Sequence, residues 1–119
     1  MSESLDKVPD VDIDDHGKFK YVLIKVFDER KNVFKHIVRG YLGHERHYEI
    51  YREVAFKVDT IRDLRTSCVG GGKIEHDPDK KTIKVYGYSV DFGMADHELS
   101  VSLLKKKYPD HTIIHIDES

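Results

Sequence analysis

His47 stands where an apolar strand closing on Arg39 and Gly40 gives way to an amphipathic helix, across the run Gly40-Tyr41-Leu42-Gly43-His44-Glu45-Arg46-His47. An imidazole changes charge near neutral pH, so it can take or give a proton in mid-reaction. The first turn of a helix adds outward-pointing N–H groups and the positive end of a dipole, which favour an anion. A titratable base beside an anion seat suits phosphate chemistry. Histidines so placed are usually ordinary surface residues, so the neighbours must carry the argument.

Lys20 is the first of these neighbours. It lies near the start of Phe19-Lys20-Tyr21-Val22-Leu23-Ile24-Lys25-Val26-Phe27, on a face otherwise formed by Val22, Ile24 and Val26. Its plain explanation is a lysine at a strand edge that snorkels to water. The loop Ser89-Val90-Asp91-Phe92-Gly93-Met94-Ala95 leads into a second helix with His97 in its first turn. Loop N–H groups and a helix start can hold a phosphate. A simple connection capped by His97 explains the same residues, and both readings stay open.

Three motifs point elsewhere and fail. His44 and His47 are three apart, whereas a zinc-protease helix needs its two histidines four apart. Gly70-Gly71-Gly72-Lys73 lacks the phosphate-loop glycine at Ser67 and the hydroxyl at Ile74, and it falls inside a hairpin. It reads instead as a kink or bulge where backbone passes close to something, with Lys73 able to border an anion. Cys68 has Ile74 where a cysteine phosphatase would need arginine, so it reads as a small buried thiol.

The elements that position these residues follow from periodicity. Residues 1–7 are polar and expected to be disordered, leaving 8–119 as one domain. Val8 to Ile13 reads as a short edge strand, and Phe19 to Phe27 as a central strand apolar on both faces. Val33 to Arg39 returns as a hairpin partner. Ile50, Val54, Val58, Ile61 and Leu64 form one stripe, predicting a helix of about five turns that ends near Arg65. Strands follow over Thr66 to His76 and Thr82 to Tyr88, then a helix from an Asp96 cap through Lys107, and a closing strand over His111 to Ile116. The order β-β-β-α-β-β-α-β predicts an α+β domain, with about six strands in a mixed or mostly antiparallel sheet and two main helices.

Composition limits the partners. The 119 residues carry 20 basic and 22 acidic side chains, a net charge of −2, so no global field favours nucleic acid or membrane. Any basic site must be local. A single cysteine and the absence of an apolar leader or a membrane-length run of ~20 residues point to a cytoplasmic chain, with monomer as the default.

Taken together, ordered segments over residues 8–116 resemble the small protein-histidine phosphatases of the janus/ocnus family. They are Val11-Asp12-Ile13-Asp14, Phe19 to Ile24, Ile37-Val38-Arg39-Gly40-Tyr41, His47 with Ile50-Tyr51, Cys68 to His76, Val85-Tyr86-Gly87-Tyr88-Ser89, His97, and Lys107-Tyr108-Pro109-Asp110. The resemblance implies a cofactor-independent, metal-independent hydrolase that removes phosphate from phosphohistidine-containing proteins. It implies that His47 is catalytic, that Lys20 binds phosphate, and that Ser89, Val90 and Asp91 form a substrate-holding loop. Arg39, Lys73 and His97 match positions lining the same pocket. The chain departs from the family pattern at Lys73, often arginine, at the residues just before His47, and at Asp91, often small and uncharged. The rival readings are a non-catalytic phosphate- or phosphoprotein-binding module and a metal-dependent hydrolase using some of the eight histidines.

Overall fold

The computed structural model describes residues 2–117. They run as α1 (Glu3–Asp6), β1 (Val11–Ile13), β2 (Gly17–Asp28), β3 (Val33–Tyr41), α2 (His47–Val58), β4 (Leu64–Asp77), β5 (Thr82–Tyr86), α3 (His97–Lys107) and β6 (Thr112–His115). One curled, mixed sheet holds the strands in the order β1-β3-β2-β4-β5-β6. The two edge strands pair in parallel and the inner strands antiparallel. The α+β class and the six-strand mixed sheet agree with the pattern in the sequence.

The alternation along β2 decides the layering. Phe19, Tyr21 and Leu23 enter the core beneath α3, while Val22, Ile24 and Val26 enter the core shared with α2 and α1. Apolar side chains on both faces are what a covered inner strand requires. Lys20 shares the α2 face, at the end of the strand where that cover stops.

β4 changes phase midway. Ile24 pairs with Cys68 but Leu23 pairs with Gly70, leaving Val69 as the extra residue of a bulge. Leu64 and Cys68 therefore join the α2 core, whereas Ile74, also even-numbered, joins the α3 core. Beyond the bulge it is Gly71 and Lys73 that face α2. The three glycines are demanded by contact: a Cβ on Gly71 would lie 2.8 Å from the His47 ring, and one on Gly72 2.6 Å from the His97 ring.

Two expectations need correction. α2 ends at Val58 rather than near Arg65. Thr60 Oγ1 donates to Lys57 O at 2.6 Å, and Asp63 adopts φ 69° before β4 begins. Ile61 and Leu64 pack on the same core as Ile50, Val54 and Val58, so the stripe recorded a shared core rather than one helix. Within the stretch expected to be disordered, residues 3–6 are helical. Ser2 Oγ caps them by accepting from Leu5 N at 3.1 Å and itself donates to Asp28, and Leu5 is buried. Met1 lies outside the described residues.

Candidate active site

His47 opens α2 and is buried to 5% exposure. Its Nε2 lies 2.8 Å from the carbonyl oxygen of Gly72. A carbonyl only accepts, so Nε2 carries the hydrogen and Nδ1 holds the ring's lone pair. Gly71 lies against the ring edge, close enough that a Cβ there would meet Cδ2 at 2.8 Å. Burial, first of all, holds the His47 pKa below the usual histidine value; Lys20 and Lys73 add to that, while the Gly72 bond and Asp91 oppose it. The neutral, proton-accepting ring is thus favoured near pH 7.

Beside it opens a hollow of about 410 Å³ lined by Lys20, Glu45, Arg46, His47, Lys73, Tyr88, Val90 and Asp91. Lys20 on β2 and Lys73 on β4 are direct cross-strand partners. Like charges opposite one another on one sheet face repel, and an anion lodged between them relieves the repulsion. The basic cluster that the overall charge required to be local is here. Among the described residues no three His, Cys, Asp or Glu side chains are grouped as metal ligands would be.

The 89–93 loop forms one wall, but not through the amides expected of it. Ser89 N donates to Gly93 O at 3.0 Å, and Asp91 N donates to Ser89 Oγ at 3.2 Å. Those two N–H groups are committed inside the loop, so of the three amides at 89–91 only that of Val90 is left for a ligand. The Asp91 carboxylate accepts from Arg46 Nη2 at 2.6 Å and from the Tyr48 backbone N–H, so it occupies the helix start where an external anion was expected. Glu49 Oε1 takes the N–H groups of Glu45 and Arg46. Arg46 holds the Asp91 pKa below the usual carboxylate range.

Three of the sequence-derived site residues do not line the hollow. Ser89 is buried beneath the loop, where its Oγ accepts from Asp91 N and Phe92 N. Arg39 is buried under the other end of α2, where it donates to Val38 O at 2.9 Å and to Pro9 O at 2.7 Å and binds the N-terminal segment to the sheet. His97 lies behind Gly72 on the α3 face. Its Nε2 donates to Gly87 O at 2.7 Å, and its Nδ1 is 2.6 Å from Tyr21 Oη. Arg39 shares the α2 face through its pairing with Val22 but sits at the far end of that helix, whereas His97 reaches the sheet from the opposite, α3 face. The start of α3 is capped by Asp96 and contributes no side chain to the hollow. Cys68 is likewise apart from it, with burial pushing its thiol up to about 11.

A family model described as the Janus/Ocnus family matches residues 5–112. The chain belongs to that family. The sex-regulated protein janus-A of Drosophila melanogaster is 47% identical over 118 residues, 98% of this chain and 84% of that protein. Its counterpart in Drosophila yakuba is 48% identical over the same spans. The 14 kDa phosphohistidine phosphatase of Sus scrofa is 40% identical over 119 residues, 96% of this chain and 94% of that protein.

In this Janus/Ocnus chain the hollow also includes Glu45, Arg46 and Tyr88, which sequence reasoning did not select. Arg46 and Glu45 were legible only as half of a failed metal motif. Tyr88 carried one signal: it precedes the loop and would have to point outward if Ser89 pointed inward. Ser89 is indeed buried, and Tyr88 is half exposed.

Proposed function

We propose that this protein hydrolyses the P–N bond of phosphohistidine in proteins, as a cytoplasmic monomer, with His47 and the paired lysines as the working groups. The observation that carries this reading is His47, bonded through Nε2 to Gly72 O, in the hollow that also holds the Lys20–Lys73 pair. The name of the porcine relative supports the substrate class. Lys20 and Lys73 would draw the phosphoryl oxygens between them and neutralise charge as the transition state forms. His47 Nδ1 takes a proton from water as the water oxygen bonds to phosphorus. The P–N bond breaks, and a leaving ring protonated on its far nitrogen departs as neutral imidazole. Attack by Nδ1 itself, giving a phosphorylated His47 that water then resolves, uses the same atom.

Phosphate release from a phosphohistidine peptide, compared between wild type and His47→Ala with and without chelator, tests the reading. Loss of a general base costs ~10²–10⁴-fold, so His47→Ala is expected to remain folded and lose activity on that scale, with chelator having no effect. Full turnover by the variant would remove His47 from the mechanism. Binding without release, unchanged by His47→Ala, would identify a non-catalytic phosphoprotein-binding module. Acid-quenched enzyme carrying labelled phosphate on His47 would identify the nucleophilic route.

A further inference from the structure

Asp91 grips the first turn of α2 on both sides of the catalytic histidine. Its carboxylate accepts from the side chain of Arg46 and from the backbone N–H of Tyr48, the residues immediately before and after His47. The grip is itself anchored. Asp91 N and Phe92 N donate to Ser89 Oγ at 3.2 and 3.1 Å, and Gly93 N donates to Ser89 O at 2.8 Å. The loop is then bonded to the glycine strand, since Gly71 N donates to Gly93 O at 3.0 Å. Gly71 is the residue that lies against the His47 ring. A closed circuit thus runs from helix start to loop to β4 and back to the imidazole.

We propose that the Arg46–Asp91 pair is a clasp that positions His47, and that Asp91 is a positioning residue rather than a ligand of the substrate. The proposal rests on the hydrolase reading above for its kinetic consequences, though not for its structural ones. An aspartate in contact with a phosphoryl group would oppose binding by charge; one paired with Arg46 opposes it less. The ion pair joins two walls of the hollow, the turn before α2 and the loop before α3. The charged groups facing His47 are Lys20 from β2, Lys73 from β4, Glu45 and Arg46 from the turn before α2, and Asp91 from the loop. Asp91 and Arg46 have opposite signs, so removing either alone must move the histidine's titration in opposite directions.

The test uses the whole chain as Arg46→Ala, Asp91→Ala, Asp91→Asn and the Arg46→Ala/Asp91→Ala double variant, assayed on a phosphohistidine peptide. In parallel, the His47 imidazole is titrated by NMR in the same proteins. A misplacement of about 1 Å at a reacting group can cost ~10²-fold. Either alanine variant is therefore expected to lose up to ~10²-fold in kcat with KM unchanged or lower, and the double variant to be no worse than the worse single one. Asp91→Asn, which keeps an acceptor for Arg46 and Tyr48, is expected to restore most of kcat. Its His47 titration shifts to lower pH, whereas Arg46→Ala shifts it to higher pH. Losses that multiply in the double variant, a raised KM at constant kcat in Asp91→Ala, or an unmoved titration in both single-charge variants would overturn the clasp. Wild type without turnover would instead defeat the hydrolase reading, and the NMR arm would still decide the clasp.

Discussion

At the scale of single residues, the Lys20–Lys73 pair has the clearest consequence. Two ammonium groups held opposite one another on adjacent strands raise the energy of the empty protein, and an oxyanion between them lowers it. Inorganic phosphate is therefore expected to raise the melting temperature, by a free-energy increment that reaches ~2.7 kcal/mol at 100 times its Kd. Lys73→Gln is expected to melt higher than wild type without phosphate and to lose most of the phosphate-dependent increase. Scanning calorimetry with and without phosphate checks both; a variant that still gained the full increment would remove Lys73 from the anion site. Lys20 was visible in the sequence as a charge out of place on an apolar face, and the fold sets it opposite Lys73. Arg39 and His97 illustrate the opposite case. Both occur in segments of the right kind, but Arg39 lies on the right face at the wrong end of α2, and His97 comes to β4 from the other side of the sheet.

At the scale of elements, β4 does the most to shape the site. Its bulge at Val69 changes which residues face α2, and the glycines after it let two imidazoles approach one strand from opposite sides. Gly71→Ala puts a methyl carbon 2.8 Å from both the His47 ring and the Tyr21 carbonyl oxygen. Overpacking of this kind costs about 1–3 kcal/mol, and here the ring rather than the backbone is the part able to move. The variant is expected to fold with a lowered urea midpoint and to lose the proposed phosphatase activity beyond what that lowering explains; a Gly71→Ala variant as active as wild type would show that the His47 orientation is not critical. The glycine run was legible as a close approach because it satisfied no loop motif. What it approached was not, since the helix start and the 89–93 loop reach it through contacts distant in sequence. The length of α2 was misjudged for a related reason: Ile61 and Leu64 keep the helical spacing while serving the core from a turn and a strand.

Over the whole molecule, the sheet separates two cores, and each has a histidine buried against β4. Burial is the foremost cause that lowers the pKa of both His47 and His97. The unfolded chain, with histidines near 6.5, thus takes up protons before the folded one does. Stability from these groups is fully present above that value and is lost as pH falls through the lowered folded-state values. Urea midpoints at pH 7.5 and 5.5 are expected to show the drop, in a range where Asp28, Asp91 and Asp110, all held below the usual carboxylate range, stay ionised. An unchanged midpoint would mean that the rings titrate as they do in water.

The architecture as a whole was readable because strongly periodic strands and a well-capped α3 determine it. The site was readable only in part, because it is assembled where four separate segments meet. One consequence lies in the thinness of the floor between the two histidines. A single glycine backbone divides His47, open to the front, from His97, sealed at the back against Tyr21. The rear imidazole is thereby a built-in reporter: its resonances can register an occupant that it never meets, through one peptide plane.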